Sequence, residues 1–212
     1  MRKGERRKQD ILAAASELFL KKGYTATSIQ DILDVLGCTK GSFYHHFQTK
    51  FEVLCELARA LAEEAHRDYM KQVLHSPMLD TLNALLFHAS LLEGRHLPLL
   101  RSRYTLQADY EGTALLAAMQ DAVRQFFYPA FVSLLHSLRE QDEASFTGEE
   151  DLALAFAAFQ AGCAMLADHD SSPGLLRALR RQLEGALGLK AGCLVIINSA
   201  ELAGLRGRIP PC

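Results

Sequence analysis

Residues 37–50, GCTKGSFYHHFQTK, decide how this chain is read. A glycine closes whatever precedes it. Thr39 is placed to cap a new helix, and Lys40, Gly41 and Ser42 follow at its tip. Phe43 and Phe47 stand four apart, so on a helix they share one face, which is the face to bury. Tyr44, His45 and His46 fall on the other sides. Thr49 and Lys50 then begin the next element, with Glu52 placed to complete a capping box.

Working backwards, Ile11, Leu12, Ala15, Leu18 and Phe19 form one amphipathic stripe. Lys21 and Lys22 precede Gly23, as expected of a helix C-terminus. A short second helix has Ile29, Ile32, Leu33 and Leu36 as its apolar face and stops at Gly37. Two capping boxes compete to open it: Thr27 with Gln30, and Ser28 with Asp31. At two to three turns it is marginal alone and needs packing neighbours. The third helix is expected to run from Thr39 to near Gln48, and a fourth from Lys50 to Tyr69 or beyond. Two short helices joined by a tight glycine turn give a helix-turn-helix layout, in which the second helix presents its N-terminal residues to the major groove.

Charge agrees with that layout. Residues 1–50 carry nine Lys/Arg against five Asp/Glu, a net +4, while residues 51–212 carry fourteen against twenty, a net −6. A basic module on an acidic body points to an anionic partner for the first part. Neighbouring histidines project about 100° apart on a helix and do not chelate one ion, and HExxH spacing is absent. GxSxG, P-loop and GxGxxG patterns are also absent, and Ser42 and the histidines have no orienting carboxylate nearby. No catalytic residues, metal or cofactor are expected, and the chain is read as no enzyme.

The remainder reads as helices without βαβ alternation or repeats, so the fold class is all-α. Ser76-Pro77 opens a helix to about Glu93, and GRHLP (94–98) breaks it. A short helix over 98–107 and a long one over 110–141 follow, the latter expected to kink or break at Pro129. Thr147 with Glu150 opens a helix to about Ala167, and Ser172-Pro173 opens the last, ending near Gly188. Residues 191–212 fit no helical stripe and acquire no function here. The five cysteines are odd in number and lack a CxxC pair, so no disulfide framework is expected and a reducing, cytoplasmic location is. No apolar run is long enough to span a bilayer, and no secretory leader pattern is seen.

The run GYTATSIQDILDVLGCTKGSFYHHFQTKFEVLCELA (23–58), preceded by ILAAASELFLKKGY, resembles the DNA-binding signature of the TetR family of bacterial transcriptional regulators. The resemblance covers about the first quarter of the chain. Beyond it the chain is similar to the family only in length, helicity and helix count. It implies a helix-turn-helix head (1–50), a helical effector-binding and dimerisation body (51–190) and a tail (191–212). It also implies a homodimer binding a double-stranded DNA operator, usually as a repressor released by a small molecule. Carried over by motif, Thr27 and Ser28 meet phosphate, Thr39, Lys40, Gly41, Ser42, Tyr44, His45 and His46 form the recognition surface, and Lys50 holds phosphate. Arg2, Lys3, Arg6, Arg7 and Lys8 are a loose basic leader. An apolar or aromatic effector is expected among Tyr69, Phe87, His88, Tyr104, Met119, Phe126, Phe127, Phe159 and Cys163. Leu152, Phe156, Phe159, Leu176, Leu179, Leu183 and Leu187 are expected at the dimer interface. The alternative reading is an all-helical small-molecule-binding protein or an activator.

Overall fold

A computed structural model describes residues 3–73, 76–90, 110–168 and 173–195. Eight helices and no strand occur among them: α1 (Lys3–Lys22), α2 (Ile29–Leu36), α3 (Lys40–Tyr44), α4 (Lys50–Gln72), α5 (Met78–Ala89), α6 (Tyr110–Glu140), α7 (Glu149–Asp168) and α8 (Pro173–Ala186). The expected break at 94–98, the short helix over 98–107, Arg2, Tyr104 and the tail beyond residue 195 lie outside the described residues.

The chain forms two compact units, one from Met1–Leu61 with Pro98–Ala122, the other from Ala62–Leu97 with Val123–Cys212. In the first, α1 packs on α2 and α2 on α3. Ile11, Leu12, Ala15 and Phe19 of α1 are buried, as are Ile32 and Leu33, Phe43 and Phe47, and Val53 and Leu54. Each of the larger side chains among these contributes about 1.5–3 kcal/mol by leaving water, which is what holds helices as short as α2 and α3. Gly37, at φ 57°, ends α2 in the left-handed region and frees the chain to turn into α3.

The second unit centres on Leu82, Leu85 and Leu86 of α5, Phe127, Phe131 and Leu135 of α6, and the buried faces of α7 and α8. α7 packs against α8, and Gly162 lies so near Leu179 that a Cβ there would meet its Cδ1 at 2.6 Å. α6 runs unbroken through Pro129. Pro129 and Gln125 are both exposed, so water can serve the carbonyl that proline leaves without a donor. α7 starts with Asp151, not Glu150, closing back on the chain: Thr147 N donates to Asp151 Oδ2 at 2.9 Å. α5 begins one residue later than expected, with Pro77 rather than Ser76 at its N-cap.

The described part of the tail is held by side chains. Glu184 of α8 is buried, and its Oε1 accepts Gly192 N (2.9 Å) and Leu194 N (3.0 Å). Asn83 of α5 donates Nδ2 to Cys193 O (3.1 Å) and accepts Val195 N on Oδ1 (2.7 Å), as a neighbouring strand would. Leu189 and Leu194 are buried as well. The tail's irregular backbone therefore finds the partners that a helix would have supplied internally.

Candidate nucleic-acid interface

The start of α2 is built around Asp31. Ser28 takes extended backbone geometry as N-cap, and of the two competing capping boxes the one it forms with Asp31 is adopted. Asp31 Oδ2 accepts Ser28 N at 2.6 Å and Ser28 Oγ at 2.7 Å, and Ser28 Oγ accepts Asp31 N at 3.1 Å. Lys22 Nζ, from the last turn of α1, sits 2.7 Å from the same carboxylate oxygen. The Lys22 ammonium first, and Ser28 second, hold the Asp31 carboxyl far below the usual carboxylate range. The cap box is readable in sequence, whereas the Lys22 partnership depends on the turn between α1 and α2.

Thr27 is placed differently from Ser28. It is 1% exposed, and its hydroxyl donates to the Gly23 carbonyl at 2.8 Å. It therefore closes the turn rather than presenting an outward hydroxyl. Ser28 is exposed beside it.

α3 is a single turn, shorter than expected. It ends at Tyr44, and turn bonds carry the chain on, His46 N to Phe43 O at 2.9 Å and Phe47 N to Phe43 O at 3.0 Å. Phe43 and Phe47 are both buried, with ring centroids 6.0 Å apart, as their spacing predicts. Thr39 is the N-cap but makes no side-chain cap bond. Thr39, Lys40, Gly41 and His45 are exposed, Ser42 is half-buried, and Tyr44 is 45% exposed. Gly41 is not demanded by the fold: a Cβ there meets nothing closer than Thr39 Oγ1 at 3.9 Å. A glycine in a helix costs about 0.5–1 kcal/mol against alanine, so this one is unexplained by packing within the chain.

His46 departs from the outward position expected of it. It is half-buried, its Cε1 within 3.9 Å of a Cβ built on Gly4 of α1. Burial pushes its imidazole below the ordinary value, His45, Lys8 and Arg7 act in the same direction, and Glu5 opposes them. His46 is thus an inner support, with its ring edge-on to the outward His45 at 4.8 Å. Lys50 is half-buried as well, and its Nζ donates to Tyr24 O (2.8 Å) and Thr27 O (2.7 Å). Lys8 of the basic leader is likewise occupied, at 2.7 Å from Glu56 of α4. No group of three or more His, Cys, Asp or Glu that could hold a metal occurs among the described residues.

The expected effector residues divide. Tyr69, Phe127, Phe159 and Cys163 are buried in the second unit, and Phe87, His88 and Phe126 are half-buried there. Met119 is buried and belongs to the first unit. His66, which the sequence reading passed over, joins α4 to α6 through ring contacts with Tyr69 (5.9 Å), Phe126 (5.9 Å) and Phe127 (5.3 Å). Burial lowers the His66 pKa and raises that of Tyr69. His88 Nε2 donates to Gln72 Oε1 at 2.9 Å. Burial pushes the Cys163 thiol far up, so it is an inert core group. The residues expected at a dimer interface (Leu152, Phe156, Phe159, Leu176, Leu179, Leu183 and Leu187) are all buried within the single chain. Their apolar stripe serves the chain's own core, and the faces left outward are different ones.

A three-helix head with a one-turn helix presenting Lys40, Gly41, Tyr44 and His45 defines a helix-turn-helix DNA-binding domain. Residues 11–57 match the family model of bacterial regulatory proteins of the tetR family. The chain is 34% identical over 67 residues to the HTH-type transcriptional repressor KstR2 of Rhodococcus jostii (strain RHA1), covering 32% of this chain and 33% of that one. The sequence match thus spans about a third of that relative's length. Among solved structures, GusR of Salmonella enterica aligns with a TM-score of 0.59 at 17% identity, over 89% of this chain and 98% of that one. RolR, solved with the ligand resorcinol, aligns at 0.60 and 16% identity over 99% and 97%. These likenesses show the all-helical fold with its N-terminal head.

Proposed function

We propose that the chain is a sequence-specific DNA-binding transcriptional repressor, released from its operator by a small molecule bound in the helical body. The observation that carries this is the outward side of the head: an exposed lysine, an aromatic, an imidazole and a glycine that packing does not require, all on the turn that a duplex would meet. Gly41 lets backbone approach closely. Lys40 and His45 supply cations or donors for phosphate and base edges. The name of the KstR2 relative favours repression over activation. DNA binding is assigned to residues 1–50, and effector binding and dimerisation to 51–190. The cytoplasm is the location this function needs, and no helix among the described residues is long and apolar enough to cross a membrane.

The effector is assigned to the aromatic cluster of His66, Tyr69, Phe126 and Phe127. It is apolar or aromatic, since burial disfavours charge there, and the imidazole and phenol offer it hydrogen bonds. α4 is continuous from Lys50 to Tyr69 and on to Gln72, about 35 Å at 1.5 Å per residue. A ligand that prefers one tilt of this helix favours one separation of the two heads in a dimer, by no more than its differential affinity for the two states.

The test is binding to a labelled duplex from the region upstream of the chain's own gene. Wild-type protein is expected to shift it, with affinity falling steeply with salt. Lys40→Ala and Tyr44→Ala are expected to abolish specific binding with helicity unchanged. Retained binding in both removes the recognition assignment. An absence of duplex binding even at low salt, with tight small-molecule binding, favours the ligand-binding alternative.

A further inference from the structure

Lys50 opens α4, but its ammonium reaches back to the turn that precedes α2. Nζ donates to Tyr24 O at 2.8 Å and to Thr27 O at 2.7 Å, and lies 4.1 Å from the centroid of the Tyr24 ring. Tyr24 is buried, edge-on to Phe19 at 5.2 Å. Its carbonyl also accepts Thr27 N at 3.1 Å, and Thr27 Oγ1 donates to Gly23 O at 2.8 Å. The four residues of this turn are thus closed on themselves, and Lys50 ties the closed turn to α4. The residue after Thr27 is Ser28, which caps α2.

An ammonium has three donors. Two of these are committed to carbonyls, and the charge rests on an aromatic face, which adds a cation–π attraction. Bonds from a charged donor are stronger than neutral ones, so leaving them for a phosphate in solvent carries a cost. We propose that Lys50 is a positioning residue: it fixes the starts of α2 and α4 against each other so that the head meets DNA already ordered, and it does not itself neutralise a phosphate. A preordered surface loses less freedom on binding. This rests on the DNA-binding reading above, but one of its two readouts does not.

The variants are Lys50→Met, which keeps the stem and loses the charge, and Lys50→Gln, which keeps one donor group. Both are made in the full chain and read in two ways. Hydrogen exchange is followed by mass spectrometry on peptides covering residues 24–31. Affinity for the labelled upstream duplex is followed by anisotropy across a salt series. Exchange in 24–31 is expected to quicken several-fold. Affinity is expected to fall by about tenfold, the order of one charged hydrogen bond, with the slope of log K against log salt unchanged. A slope smaller by about one is the signature of a lost phosphate contact and overturns the proposal whatever exchange does. Unaltered exchange overturns it too, as does quickened exchange with unaltered affinity, which is a purely structural role. If Lys50→Met does not fold, Lys50→Gln is judged by the same criteria. If wild-type protein binds no duplex, the DNA reading fails by itself and exchange alone decides whether Lys50 braces the turn.

Discussion

Gly188 shows what one backbone position can fix. Its φ is 62°, and a Cβ there would run into the side chain and the backbone of Ser145. The close approach lets Ser145 N reach Leu187 O at 2.9 Å, joining the loop before α7 to the end of α8. Gly188→Ala suffers both the left-handed strain and the clash, and is expected to lower stability by about 2 kcal/mol or more. Chemical denaturation measures it, and a loss under half a unit would show that Ser145 yields freely. Residue-scale detail was the least legible part of the sequence. Gly188 was readable as a helix stop, but its neighbour across the chain was not. Lys50 and His46 were read as an outward cation and an outward ring, and their actual neighbours come from elements far away in sequence.

Elements were far more legible, because periodicity and caps are local. The stripes of α1 and α2, the Phe43–Phe47 pair and the start of α4 follow from spacing alone. The misplacements have local causes too: α3 ends after one turn because Phe47 is reached by turn bonds, and α6 tolerates Pro129 on its solvent side. His66 escaped notice because one imidazole in a charged helix, RALAEEAHRDY, has no periodic signature. Its burial makes a pH prediction for the α4–α6 pair. The folded pKa is lowered from the ordinary 6.5, so the fold favours the neutral ring. That contribution is fully present above the unfolded pKa and is lost as pH falls through the folded one. Melting temperature is therefore expected to fall by a few degrees between about pH 7.5 and pH 5.5, and by less in His66→Phe. His46 is shifted in the same direction and keeps part of the dependence in that variant. An identical pH dependence in His66→Phe would remove His66 from the account.

At the scale of the whole molecule, the stripe expected to pair two copies is buried within the chain's own core. An apolar stripe seen in one chain cannot say whether it meets its own core or a second copy. Burial decides: the leucines of α8 and the phenylalanines of α7 face inward. What α7 leaves outside is Ala153, Leu154, Ala157, Ala158 and Ala161, with Leu154 69% exposed. Small residues permit close helix approach, and a two-fold pairing through this face would cover them. Leu154→Arg is expected to move the sedimentation profile from dimer to monomer, with monomer stability changed by less than about 0.5 kcal/mol. A dimer that survives the substitution places the interface elsewhere.

The clasp on residues 192–195 bears on how far the chain can be trimmed. Asn83 and Glu184 hold that segment through backbone atoms, so its side chains, apart from buried Leu194, can vary while its presence cannot. A stop codon after Gly188 would strip the amide donors from a carboxylate that stays near-buried and uncover the site of Leu194. A shortened gene for crystallisation should therefore run through Val195, and a library that randomises 192–195 should tolerate most replacements except at Gly192, where φ is 87°, and Leu194.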